Sequence, residues 1–397
     1  MSPLLHILMT LADLAALVLV ARRPTLFRGI AGLAAVASTT AVLGSAVSLL
    51  GFGSFGLLRV LSFGIFVYVP AFLIAAALLL ARHDRRAALA KTTLAVVLLG
   101  VGIDAFWIEP TWLEVSRHEI RSPRLRERIR VVVLADFHTD TFGDYERRVL
   151  DTVMAQQADL VLLPGDYVQI LDPERRAAVT QEIRDYLGEI RFRAPLGVLA
   201  VRGDVETDGW EQLFAGLPVT TFQHTSTVQT PNLVVTALHP WDSRATDLHV
   251  EPTPDRFHIV FGHAPDFALS DVDADLLVAG HTHGGQVRLP GIGPLVTFSR
   301  VPRSWAAGRT DLDDGRVLVV SRGTGMERHH APRMRFLCRP EIVVLDLLPG
   351  RGTSPSAGVA GTEQGQIFVP QGRLRTLRRR VRPRRVIGWP GLGENDL

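Results

Sequence analysis

One cysteine in 397 residues, Cys338, leaves no partner for an intramolecular disulfide and excludes a thiolate metal cluster. Residues 1–5 carry no basic side chain, which removes the charged opening of a cleavable secretory peptide. No internal repeat is present, so a repeat architecture is excluded. Polar residues are scarce in four stretches before about Phe106, at 4–20, 30–50, 57–80 and 92–108. Soluble helices keep a polar face toward water, and each of these stretches approaches or exceeds the roughly 17–25 residues that cross a bilayer. The sequence thus predicts a four-helix transmembrane region over residues 1–110.

What charge there is lies between those stretches. Arg22, Arg23 and Arg28 separate the first two, Arg59 lies near the second connection, and Arg82, Arg85, Arg86 and Lys91 separate the last two. Basic loops stay in the cytoplasm. The amino terminus and everything after the fourth helix are therefore expected outside, on a multi-pass cell-membrane protein. The arginines from Arg117 to Arg130 follow the last stretch closely, but they alternate with apolar residues and acids and lead into a globular domain.

From about Trp112 short apolar runs alternate with amphipathic segments. Residues 145–157 have helical spacing at Val149, Leu150, Val153 and Met154, and residues 173–190 open on Asp172-Pro173, a cap and a first-turn proline. The alternation predicts a layered α/β domain over 111–349, with strands dominating after Thr227. A Gly-, Pro- and Ser-rich stretch then ends the periodicity, and residues 350–397, with Arg378-Arg379-Arg380, are expected to be a disordered Arg-rich tail with no specific nucleic-acid partner.

Five motifs each follow an apolar run. They are Asp136-Phe137-His138, Gly165-Asp166, Gly203-Asp204, Gly262-His263 and Gly280-His281-Thr282-His283, after runs at 131–135, 160–163, 198–201, 258–261 and 276–279. Such runs read as buried strands, and open α/β sheets bind ligands at the carboxyl ends of their strands. Carboxylates and imidazoles without thiolates suit Mn, Fe, Zn or a similar divalent ion.

These motifs resemble the calcineurin-like metallophosphoesterases, and Gly280-His281-Thr282-His283-Gly284-Gly285-Gln286 is the most specific piece. The segments Ser321-Arg322-Gly323-Thr324-Gly325 and Pro332-Arg333 to Pro340-Glu341 look like its membrane-associated branch, whose members act on phosphoesters of lipids or lipid-linked precursors. The resemblance implies a four-layer α/β/β/α sandwich around two divalent ions. Asp136, His138, Asp166 and His283 would hold one ion, and Asp166, Asp204, His263 and His281 the other. Asp166, Asp204 and His263 would also serve catalysis. The implied activity is hydrolysis of phosphoester or pyrophosphate bonds by metal-activated hydroxide, in a lipid or cell-envelope intermediate at the bilayer.

One motif departs from the family's Gly-Asn-His-Asp, because this chain has Gly203-Asp204-Val205-Glu206. Asp204 keeps an oxygen donor but adds negative charge, while Val205 brings no proton donor. Glu206 or His239 could replace that donor, although each also reads as structural. The alternative is a catalytically impaired metal-binding receptor or scaffold. Arg322 and Arg333 are candidates for substrate phosphate, since a guanidinium fork matches phosphate oxygens. Trp210 and Trp241 read as pocket lining or as packing.

Overall fold

The computed structural model describes residues 53–350, without Pro231 and Pro254, together with a few positions before Gly53. The described residues form two compact units, one holding those up to Asp104 with Arg328–Pro332, the other Ala105–Glu327 with those from Arg333 onward.

The first unit is helical. Helix α1 (Gly53–Phe63) passes through a π turn, Gly64–Tyr68, into α2 (Val69–Leu80). Pro70 lacks an N–H and its ring presses on the preceding turn, and the wider π turn lies just before it. Helix α3 (Arg85–Ile103) starts where the Asp84 side chain accepts the Ala87 N–H at 3.0 Å, an N-cap. It continues into the π turn Asp104–Ile108. Ser54–Leu80 and Arg85–Thr111 are each 27 residues long and apolar enough to cross a membrane. At 1.5 Å per residue each spans about 40 Å, more than the roughly 30 Å of a hydrocarbon core.

Two of the four expected spans, 57–80 and 92–108, fall on these helices. The other two, 4–20 and 30–50, lie outside the described residues, as does the expected tail beyond Gly350. Among the described residues the structure supports two helices long and apolar enough to span a membrane, and the four-helix region is not supported beyond these two. The second begins at Arg85 rather than Thr92, because the Asp84 N-cap satisfies the first turn despite Arg85 and Arg86, whose charges oppose the helix dipole there.

The second unit holds two six-stranded sheets. The chain supplies β1 (Glu114–Ser122), β2 (Ile129–Val133), β3 (Leu160–Leu163), β4 (Val198–Val201) and β5 (Val219–Phe222) to the first sheet. It then supplies β6 (Ser226–Gln229), β7 (Leu233–Ala237), β8 (Phe257–Phe261), β9 (Leu276–Ala279), β10 (Gly308–Asp311) and β11 (Val317–Val320) to the second. Finally β12 (Glu341–Pro349) returns to the first, giving the orders β1-β12-β2-β3-β4-β5 and β10-β11-β9-β8-β7-β6. Strands β2 to β5 are parallel, as are β7, β8, β9 and β11. Every motif-bearing strand thus has a parallel neighbour, although β2 also pairs antiparallel with β12.

The period-2 pattern explains the layers. Val131, Val133, Leu160, Leu162, Leu199 and Val201 point from the first sheet into a shared core with Val235, Ile259, Phe261, Leu276, Val278 and Val319 from the second. The alternate residues Val132, Val161, Leu163 and Val198 face α4 (Asp144–Ala155) and α5 (Pro173–Glu189), through Val149, Val153, Val179 and Ile183. Both sheet faces are buried, which is why these strands read as continuous apolar runs. Each fully buried Val or Leu contributes roughly 1.5–3 kcal/mol.

The fourth layer differs from expectation. Outside the second sheet, among the described residues, the cover consists of short pieces: a one-turn helix (Pro240–Ser243), 3-10 turns at Pro265–Leu269 and Arg303–Trp305, and a two-stranded pairing of His249–Val250 with Asp271–Val272, with Phe267, Val272 and Ala274 covering Val260, Leu277 and Leu318. The connections there are proline-interrupted and lack a helical apolar period, so no long helix forms.

Candidate metal centre

All five motifs stand directly after β2, β3, β4, β8 and β9. The backbone then bends in an unusual way. Asp136, His138, Asp166, His281 and His283 have φ of 48°, 41°, 61°, 68° and 50°, the left-handed region. Each such residue costs about 1–3 kcal/mol, a cost that persists only where surrounding structure imposes it. Here the Asp136 N–H bonds to the Gly165 carbonyl at 3.1 Å and the His138 N–H to the Asp166 carbonyl at 2.9 Å. Gly165 and Gly203 allow two of the loops to touch, because a Cβ on Gly203 would collide with the Asp166 carboxylate and one on Gly165 with the Gly203 backbone.

The bends bring the side chains together in two sets. The ligand atoms of Asp136, His138, Asp166 and His283 lie within 4.8 Å of one another, all buried, and those of Asp204, His263 and His281 do likewise. Asp166 joins the sets, its Oδ2 lying 3.0 Å from His138 Nε2 and 3.3 Å from His263 Nε2.

Three imidazoles are oriented by acceptors behind them. His138 Nδ1 donates to Gln169 Oε1 at 2.8 Å, His263 Nδ1 to the Pro164 carbonyl at 3.0 Å, and His281 Nε2 to the Phe298 carbonyl at 3.1 Å. Their other nitrogens carry the lone pairs and face inward. His138 Nε2 meets His283 Nε2 at 3.0 Å, and His263 Nε2 meets His281 Nδ1 at 3.2 Å. Lone pairs so opposed, beside buried carboxylates, are repulsive unless a proton or cation lies among them. The donor set therefore fits divalent ions of the Mn, Fe or Zn kind. Cys338 stays outside it, its Sγ donating to the His283 carbonyl at 3.2 Å.

Without an ion, protons fill that role. Burial pulls His138 and His263 down, but the Asp166 carboxylate outweighs it, with Asp204 adding at His263, and they rise to about 9 and about 10. Burial raises Asp166, yet His263 and His138 bring it to about 2. Burial prevails at Asp136, which is raised, and at His283, which burial and the His138 charge hold well below the usual range. Both raised histidines are protonated at neutral pH, so a divalent ion must displace those protons. Affinity should accordingly fall as pH falls below about 9, up to about tenfold per unit for each proton displaced. Calorimetry in buffers of different ionisation enthalpy is expected to show about two protons released. Release near zero would contradict this arrangement.

The departing motif has its own logic. Glu206 is buried and turned into the backbone, where its carboxylate accepts the N–H of Asp166 at 3.0 Å, Tyr167 at 2.6 Å and Gly203 at 2.7 Å. Burial and the Asp166 charge push it up to about 7 against those donors. It ties two ligand loops together and has no free face for a leaving group. His239 is also structural, its Nδ1 accepting the Trp241 N–H at 3.3 Å at the start of the one-turn helix. Asp204 is forked by Arg244, whose Nε donates to Oδ1 at 3.2 Å and whose Nη2 donates to Oδ2.

The candidate phosphate arginines are each engaged by carboxylates outside the two ligand sets. Arg322 Nη2 lies 3.0 Å from Glu114 Oε2 and 2.5 Å from Glu341 Oε2, and Arg333 Nη2 lies 2.5 Å from Asp140 Oδ2. Arg322→Ala would strand Glu341, which is buried, and should cost about 3 kcal/mol in a denaturant melt, since an unpaired buried charge is strongly unfavourable. A substrate KM that rises with no loss of stability would instead make Arg322 a phosphate ligand. Trp210 is buried, stacked on Tyr167 at 5.7 Å, whereas Trp241 is exposed.

Sequence reasoning missed Arg244 as a member of the site. It follows His239-Pro240-Trp241-Asp242-Ser243 in a loop, where neither spacing nor a preceding strand end marks it. Gln169 and the Phe298 carbonyl were equally silent, since an orienting acceptor can come from any part of the chain.

Residues 129–285 match the Calcineurin-like phosphoesterase family. The match covers the segment that holds all five motifs, and relatives named metallophosphoesterase or phosphodiesterase support a metal-dependent phosphoesterase. Among its relatives is the uncharacterized metallophosphoesterase YkuE of Bacillus subtilis, 28% identical over 269 residues that cover 61% of this chain and 88% of that one. Phosphodiesterase YaeI of Escherichia coli is 28% identical over 258 residues, 61% of this chain and 91% of that one. The solved E. coli phosphoesterase Yfce aligns over 52% of this chain and 85% of that chain, at 16% identity and a TM-score of 0.26.

Proposed function

We propose that this chain is a membrane-anchored phosphoesterase with a two-ion centre, hydrolysing phosphoester or pyrophosphate bonds of a phosphorylated lipid or cell-envelope intermediate outside the cytoplasmic membrane. The observation that carries the two-ion reading is the pair of converging lone-pair sets that share Asp166 Oδ2. Bound divalent ions supply charge that polarises a phosphoryl group and brings the pKa of water toward neutrality. The chain's own residues supply position. Asp136 accepts the His281 N–H through both oxygens, at 2.9 and 3.0 Å, which holds the last histidine loop against the first motif. Gln169, Pro164 and Phe298 keep His138, His263 and His281 in single tautomers.

The lipid reading is supported by the two apolar helices and by the loop that rims the second ligand set. Phe298, whose carbonyl orients His281, is itself exposed, as are Ile292, Leu295 and Val296 in the same loop. An apolar rim suits acyl chains or a bilayer surface better than a soluble nucleotide. Within the Gly203 motif Val205 has no proton to give and Glu206 faces inward, so good leaving groups such as pyrophosphates and aryl phosphates should be preferred over simple alkyl esters.

A panel of alkyl, aryl and lipid phosphoesters and pyrophosphates, run with Mn, Fe, Zn and Mg, tests this. Metal-dependent turnover that favours good leaving groups and amphiphilic substrates is expected. Full metal occupancy with no turnover on any substrate would favour the receptor or scaffold reading, which the Asp204–Arg244 pair also accommodates.

A further inference from the structure

The two ligand sets are not equivalent, and the difference is a cation contributed by the chain. Arg244 follows the one-turn helix Pro240–Ser243 and is partly buried against the second set. Its fork engages both oxygens of Asp204, and Nη2 also lies 3.2 Å from His281 Nε2 and 3.5 Å from His281 Nδ1. Asp204 Oδ2 in turn lies 3.1 Å from His281 Nδ1 and 3.4 Å from His263 Nε2. The carboxylate oxygen that the second set offers is therefore the one a guanidinium already holds.

The first set is different. Among the described residues, Asp136 takes its hydrogen bonds from the His281 N–H, and Asp166 takes its own from the N–H groups of Asp204 at 2.6 Å and Val205 at 3.0 Å. The backbone dipoles carry no net charge, and the protons on His138 and His263 beside Asp166 are ones that a bound ion displaces. Once a divalent ion has displaced those protons, two carboxylates and two imidazoles hold the first position, while at the second the Asp204 charge is still offset by Arg244. A second positive charge so close repels a divalent ion and weakens the ligand it needs.

We propose that Arg244 is an internal counter-cation that competes for Asp204, so that the first set fills first and the second binds its ion weakly. This rests on the two-ion reading above. The competition also explains how the chain tolerates aspartate at 204, since a partly buried guanidinium there requires an anion and the anion requires the guanidinium.

The test is a Mn2+ titration of metal-stripped full-length protein in detergent micelles, with occupancy followed by calorimetry and ion–ion coupling by electron paramagnetic resonance. Wild type should fill in two steps about tenfold or more apart. Arg244→Gln should strengthen the second step by about tenfold or more and leave the first unchanged. Arg244→Lys, which keeps the charge, should retain the wild-type separation. In an Asp204→Asn background the glutamine change should have a clearly smaller effect, since only the direct repulsion of the ion by Arg244 remains there.

A second step that Arg244→Gln leaves unmoved overturns the proposal, as does an equal shift of both steps or the same gain with lysine. If the glutamine variant does not fold, Asp204→Asn alone decides, because retention of the wild-type second step in that variant is incompatible with a contested Asp204. Wild type that binds no Mn2+ overturns the two-ion reading itself, a result distinct from two-step binding that ignores Arg244.

Discussion

Asp166→Asn should reduce metal-dependent phosphoester hydrolysis by about 10³-fold or more, with the fold intact. The Asp166 carboxylate is within 3.0 Å of His138 and 3.3 Å of His263, so its charge serves both ligand sets at once. The amide keeps one oxygen to accept the Asp204 and Val205 N–H groups, now at 2.6 and 3.0 Å. Loss of activity with a near-native melting curve is therefore the expected outcome. Calorimetry should show both binding steps weakened together. The charge change also reaches the histidines, since Asp166 is the main influence that raises His138 and His263 against burial. Their protons should come off at lower pH in the variant, which nuclear magnetic resonance of the imidazoles would read directly. Substantial residual turnover would show that the two sets do not work as one centre.

The second large effect is expected on stability. Glu206→Ala deletes the one acceptor shared by the N–H groups of Asp166, Tyr167 and Gly203, all of them buried from water. A buried donor left unsatisfied costs about 1–3 kcal/mol, so roughly 5 kcal/mol is expected in a denaturant melt. That is comparable to the whole stability of many domains. The same change releases Gly203 from the Gly165–Asp166 loop, so metal affinity should fall with stability. Were Glu206 a catalytic proton donor instead, the alanine variant would lose turnover while keeping its melting point and its metal.

Much of the centre was legible because ligand chemistry and strand ends are local properties. An apolar run followed by Gly-Asp or by Gly-His-Thr-His is visible in a handful of residues, and β2, β3, β4, β8 and β9 appear almost where such runs predict. The strands that escaped notice are those with weak alternation. Strand β1 carries Arg117 and Arg121 at the sheet edge, and β6 and β10 are half-exposed edge strands with polar residues, whose pairing partners rather than their own composition make them strands. The left-handed backbone at Asp136, His138, Asp166, His281 and His283 was illegible for another reason. No side chain at those positions favours it, and the neighbouring loops impose it.

The sequence by itself determined the donor chemistry, the order of the motifs, the strands that carry them and the presence of long apolar helices, because each depends on residue type and short-range period. Only the tertiary structure decided how those donors act together. It showed that Glu206 braces loops instead of facing a leaving group, and that Arg322 answers Glu114 and Glu341. It also placed Arg244, forty positions after Asp204, on that carboxylate. Charge and hydrogen-bond partnership act over a few ångströms of space whatever the distance along the chain, and folding alone sets which groups come that close.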